Sequence, residues 1–113
     1  MATLEDFQKV DIRLRKVIEA QDFPEAIKPA YKLTIDFGPG IGVKHSSVQL
    51  PGAYNDKEEL VGMLVAGVVN FPPKKIGSFE SEVLTLGFKN TEEPGYILIS
   101  PTKNSVQLGD KLC

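Results

Sequence analysis

The sequence predicts an all-β chain: a five-stranded barrel of Greek-key character with a short N-terminal helix and C-terminal strand extensions. Three observations predict it. Short runs rich in β-branched residues recur along the chain, separated by Gly, Pro, Asn and Asp turn signals. Only Thr3–Gln8 and Asn55–Leu60 are patterned as turns of helix. The first strand-like run is long and changes phase part-way, as strands do that serve both sides of a small barrel.

Thr3-Leu4-Glu5-Asp6 reads as a capping box opening a helix through Gln8, with acids in its first turn. Leu4 and Phe7 fall on one face. So short a helix must dock, on its own sheet or on a second subunit. From Val10 to Ala20 the pattern alternates, with Val10, Ile12 and Leu14 opposite Asp11, Arg13 and Arg15. Val17 comes three positions after Leu14, so a β-bulge is expected near Arg15-Lys16. Phe23-Pro24 and Lys28-Pro29 bracket a short connection. Tyr31, Leu33, Ile35 and Phe37 then share one face of a cleanly alternating strand, which makes them barrel interior.

Gly38-Pro39-Gly40 is a turn, and Ile41–Leu50 a more polar strand with one face in solvent. Pro51–Tyr54 is loop, and Asn55 or Asp56 caps the second helical turn. The apolar run Met63–Val69 suits a strand buried on both faces. Pro72-Pro73 cannot continue it, because proline lacks the ladder donor and fixes φ. The chain therefore throws out a stiff loop carrying Lys74 and Lys75, then returns in a strand over Glu82–Leu86. A turn at Glu92–Gly95, a strand over Tyr96–Ile99 and a terminal piece after Val106 complete the chain. A bent first strand and a helical turn between strands three and four match the OB architecture, whose open face binds extended ligands.

The 113 residues are expected to form one domain, 1–113, able to bury a core without metal or disulfide support. No run approaches the roughly 18 apolar residues of a membrane span. The acids in MATLEDFQKV oppose a signal-peptide reading, so a cytoplasmic location is expected. Cys113 is the only cysteine and His45 the only histidine, which excludes a cysteine cage and a two-histidine metal site. No metal and no cofactor are expected. A formal charge of −2 argues against dedicated nucleic-acid binding, although a local basic face remains open.

The stiff loop is the leading candidate site. Lys74 and Lys75 on it have little backbone entropy left to lose on meeting a phosphate or carboxylate. Arg13, Arg15, Lys32 and Lys44 would join them in a basic stripe if the first three strands lie side by side. Phe71 and Phe79 flank the loop, and three roles stand open for them: an apolar pocket for peptide side chains, a subunit contact, or core. His45 and Ser46-Ser47 have no acid or nucleophile-elbow context, so no catalytic residue is expected and the chain is read as non-enzymatic. Asp56-Glu58-Glu59 lacks the spacing of a calcium loop. Gly38–Gly42 precedes a strand, which rules out a phosphate cradle at a helix N-terminus.

The strings FQKVDIR (Phe7–Arg13), FPEA (Phe23–Ala26), YKLTIDFGPGIGVKHSS (Tyr31–Ser47) and VVNFPPKKIGSFESEVLTLG (Val68–Gly87) resemble the CsaA family. These are export-related chaperones within a wider group of tRNA-binding OB domains. The resemblance implies an OB-fold, a homodimer, no catalysis, and two activities: binding unfolded or precursor polypeptides, and binding tRNA. By the same match, Lys32, Lys44, Ser46, Asn70, Lys74, Lys75 and Ser81 fall on the binding face or its adjacent loops. Where tRNA-binding members usually read Ser-x-Gly-Met, this chain has Ser81-Glu82-Val83-Leu84. The acid at Glu82 works against a phosphate backbone and favours polypeptide. Arg15 stands where the family commonly has glycine, which puts the left-handed form of the bulge in question.

Overall fold

The computed structural model describes residues Met1–Cys113. Thr3 caps helix α1 (Leu4–Gln8), its hydroxyl accepting from the Asp6 amide while the Asp6 carboxylate accepts from the Thr3 amide. The capping box is thus present. No residue of α1 is buried, and Leu4 and Phe7 face solvent.

Strand β1 (Ile12–Asp22) is the longest, and it does serve two sides. Its first half pairs with β4 (Leu64–Val68) and its second half with β2 (Tyr31–Asp36), both antiparallel. β3 (Val43–Val48) pairs with β2, and β7 (Leu84–Thr85) with β4, giving a five-stranded sheet in the order β3-β2-β1-β4-β7. The sheet curls until its edges meet. The Glu82 amide donates to the His45 carbonyl at 2.8 Å, and the Ser46 hydroxyl to the Val83 carbonyl at 3.0 Å. The result is a nearly closed antiparallel barrel of OB type, as expected.

A hairpin, β5 (Lys74–Ile76) with β6 (Phe79–Ser81), projects between β4 and β7. A second hairpin, β8 (Gly87–Lys89) with β9 (Tyr96–Leu98), follows β7. The last residues return to β1: Leu14 and Asp110 share a backbone hydrogen bond of 2.9 Å, and the Leu112 amide donates to the Ile12 carbonyl at 2.8 Å. Asp56 caps a 3-10 turn (Lys57–Leu60) that seats Leu60 in the core.

The core is the one the alternation predicts on β2: Tyr31, Leu33, Ile35 and Phe37 are all buried, together with Val17, Leu50, Leu60 and Val65. Each such apolar side chain contributes about 1.5–3 kcal/mol on burial. The bulge is another matter. Val17 faces Ile35 and Glu19 faces Thr34, so the extra residue is Ile18, not Arg15-Lys16. The misplacement has a physical cause. Ile12 and Leu14 lie on the outer side of the barrel beneath the C-terminal segment, while Arg15 points inward and is fully buried. A polar residue inside and apolar residues outside mimic a slip that the backbone does not make. No non-glycine residue has positive φ, so the bulge at Ile18 needs no left-handed residue.

The Arg15 guanidinium donates to the Thr85 hydroxyl and stacks over Phe37, 5.7 Å from the ring centre. Thr85 in turn bonds the Ser46 hydroxyl at 2.8 Å. Nε and Nη1 of Arg15 have no partner. Burial lowers the guanidinium pKa to about 9. Gly67 makes the room: a Cβ there would lie 2.7 Å from Cζ of Arg15.

Two outcomes follow. Gly67→Ala forces that overlap and destabilises by about 1–3 kcal/mol in urea unfolding, whereas the same change in an Arg15→Ala background costs far less. Arg15→Met removes a buried, under-bonded cation and stabilises by about 1–4 kcal/mol. Because the folded-state pKa lies below the unfolded value, the cost of charge is fully present below pH 9 and relieved above it. The gain from Arg15→Met is therefore largest below pH 9 and shrinks as pH rises.

Candidate functional site

Gly77 with φ +62° followed by Ser78 makes the tight turn that closes the β5–β6 hairpin. Lys74 pairs with Ser81 and Ile76 with Phe79, so these four share one face, while Lys75 and Glu80 share the other. The lysines expected as a loop pair therefore stand on a strand and point to opposite sides. The expected return strand over Glu82–Leu86 is correspondingly shorter, only Leu84–Thr85.

Phe79 anchors the hairpin. Its ring meets Phe23 edge-on at 5.3 Å and His45 at 6.4 Å, and the Lys32 ammonium lies 5.8 Å from it and 5.4 Å from Phe23. Phe79 is thus held against the outer face of β2 and β3. The Ser81 hydroxyl accepts from the Ser47 amide at 3.0 Å, fastening the foot of the hairpin to β3. The seams at Phe79 and Ser81 hold the hairpin beside the barrel.

Between this hairpin, β3, the Ser81–Gly87 segment and β9 lies an open groove of about 550 Å³. Phe71 and Pro72 form its entrance, Lys74 and Ile76 one wall, and Leu84, Leu86 and Tyr96 much of the floor. Phe71 is 44% exposed and Leu84 49%. Glu82 also lines the groove, but its carboxylate is engaged: it accepts from the His45 amide at 3.0 Å, sits 3.1 Å from His45 Nδ1, and lies 3.8 Å from the Lys44 ammonium. None of the ion pairs involves Lys74. The groove thus has an apolar floor and one uncommitted cation at its wall.

Of the expected site residues, the structure brings Phe71, Lys74 and Ser81 to this groove. Lys75 is on the outer side of the hairpin, and Lys32 is on the outer sheet face under the aromatic pair. Ser46 is buried inside the barrel and so lies beneath a binding face, not on it. Asn70 is spent within the chain: its Oδ1 accepts from the Asp11 amide and its Nδ2 donates to the Lys9 carbonyl, both at 2.8 Å. The three first strands do lie side by side, yet the basic stripe does not form. Arg15 is interior, Arg13 is bound by Asp11 at 2.6 Å, and Lys44 faces Glu82. The hydrogen bond to Asp11 raises the Arg13 pKa further.

Leu84, Leu86, Tyr96 and Leu98 were not among the sequence candidates. In Val83-Leu84-Thr85-Leu86 the buried residues are Val83 and Thr85, so leucine faces out and threonine in. The exposure of Phe71 beside a proline pair was the one usable signal.

A family model described as "Putative tRNA binding domain" matches residues 12–111. The chain belongs to this tRNA-binding domain family. Among solved structures, the CsaA chaperone protein from Picrophilus torridus is 47% identical, with a TM-score of 0.89 and complete coverage of both chains. The chaperone CsaA from Bacillus anthracis is 41% identical at the same TM-score, covering 100% of this chain and 99% of that one. A methionine–tRNA ligase from Pyrococcus furiosus is 34% identical over 110 residues, 97% of this chain. The chain spans only 14% of that ligase. The resemblance to CsaA-type members of the tRNA-binding OB group is therefore borne out.

Phe79→Ala removes the hairpin's anchor and costs about 2 kcal/mol, less than the 3–5 of a core phenylalanine because the ring is only half-buried. Hydrogen exchange then rises first in Lys74–Ser81. Asn70→Ala leaves the Asp11 amide and Lys9 carbonyl without that partner, and faster exchange appears in residues 4–11.

Proposed function

We propose that this chain is a non-enzymatic, homodimeric chaperone of the CsaA kind, which binds unfolded or precursor polypeptides for export in the cytoplasm. The observation that carries the reading is the groove. Its floor is apolar, its one acid is neutralised from within, and exposed Phe71 stands at its mouth. Such a lining suits the mixed side chains of an unfolded segment better than a phosphate backbone, which would want several free cations. The likeness to two CsaA chaperones over the full chain supports it.

The homodimer is supported by apolar surface elsewhere. Phe88, Ile97, Ile99, Val106 and Leu112 are exposed, and Ile99, Val106 and Leu112 border a second hollow of about 350 Å³ between β1, β4 and the C-terminal segment. Exposed apolar residues gathered around one hollow, as Ile99, Val106 and Leu112 are, favour an interaction site there.

A second reading, tRNA binding, is favoured by the family itself and by the relationship to methionine–tRNA ligase. The two separate by salt. Titrated with unfolded presecretory peptides, the protein binds at micromolar order, with affinity that changes little between low and physiological salt. Bulk tRNA in a gel-shift series is expected to shift only at low salt. A tRNA complex that persists at physiological salt, with no peptide binding, reverses the order of the two readings. Sedimentation gives twice the 12.4 kDa of one chain, and a mass of one chain overturns the dimer.

A further inference from the structure

Lys74 and Ile76 of β5 line the groove, and β5 pairs with β6 alone, which leaves its other edge free. In the β5–β6 hairpin the two-residue turn makes Ile76 and Phe79 the closing hydrogen-bonded pair. Antiparallel pairs alternate, so Lys74 and Ser81 are bonded while Lys75 and Glu80 are not. The amide and carbonyl of Lys75 therefore point away from β6. No backbone hydrogen bond outside the regular ladders involves Lys74, Lys75 or Ile76, and no side chain bonds to their backbone. An unpaired edge of this kind templates another strand unless it is covered or blunted. Here it is preceded by Pro72-Pro73, which are exposed and leave the strand start rigid. It carries on its groove side Lys74 and Ile76.

We propose that the groove takes an extended polypeptide segment by strand addition to β5, selecting an acidic residue two positions from an aliphatic one. The inference rests on the polypeptide reading above and gives it a mode and a motif. A strand laid along β5 exchanges two backbone hydrogen bonds with Lys75 through its central residue. That residue's neighbours on either side stand opposite Lys74 and Ile76, and their side chains enter the groove. The neighbour facing Lys74 meets an exposed ammonium with no internal ion pair, so a carboxylate is favoured there. The neighbour facing Ile76 meets Leu84, Leu86 and Tyr96 across the groove, so an aliphatic side chain is favoured. The central side chain points outward beside Lys75 and is unselected. Main-chain bonds give sequence-tolerant affinity, as a binder of many unfolded chains requires, while the two groove positions supply the preference.

The test is a fluorescence anisotropy titration of the full chain with a short unstructured peptide carrying one glutamate two positions from one leucine. N-methylation of the residue between them removes the donor to the Lys75 carbonyl and weakens binding by at least about tenfold. N-methylation of the glutamate or leucine amide, which points away from β5, leaves affinity within about twofold. Lys75→Pro removes the outward amide without touching the hairpin's own ladder and reproduces the loss, whereas Lys75→Ala binds normally. Should Lys75→Pro disturb the fold, the methylated peptides decide alone, because they act on the unaltered protein. Equal affinity for the centrally methylated and parent peptides overturns strand addition but leaves polypeptide binding standing. No binding by this peptide or by any unfolded precursor segment overturns the polypeptide reading itself.

Discussion

The register of the barrel's closing seam is set by a buried polar cluster. Arg15 reaches from β1 to Thr85 on β7, Thr85 reaches Ser46 on β3, and Ser46 reaches the Val83 carbonyl. Three strands that are distant in sequence are thereby fixed where the sheet's two edges meet. A polar network inside a small barrel is costly, and here two guanidinium nitrogens are left unbonded. What it provides is register. With Val83 and Thr85 held inward, Leu84 and Leu86 must face out and Glu82 must lie against β3. The groove floor is the outer side of that seam.

The same seam explains the hairpin. Ser81 is bound to β3 immediately before the seam begins, and Phe79 is pinned against Phe23 and Lys32. The chain between Pro72 and Ser81 therefore has no freedom to collapse onto the floor. It stands as a wall, with one face toward the groove and one edge unpaired. The binding surface proposed for this protein thus follows from barrel closure.

The fold was legible in the sequence because its strongest signals are local. The alternation of Tyr31, Leu33, Ile35 and Phe37, the Gly38–Gly40 turn and the capped turn at Asp56 each report their own surroundings. The site was less legible because its determinants are long-range. Ile12 and Leu14 are covered by a segment nearly a hundred residues later in the chain, so their apolar face reads as core and Arg15 as surface. Asn70 sits in a conspicuous string, yet both ends of its amide serve the N-terminal segment. Lys74 and Lys75 read as a pair on a loop until the hairpin register sends them to opposite faces.

The central claim is that polypeptide enters the groove between the β5–β6 hairpin and β9, not the outer sheet face that OB domains commonly use. Backbone amide shifts recorded while an unfolded precursor peptide is titrated into the labelled protein test it most directly. The account predicts that shifts concentrate in Phe71–Ile76, Glu82–Gly87 and Tyr96–Leu98. Shifts centred instead on Lys32, Thr34 and His45, with the groove residues unmoved, would contradict it.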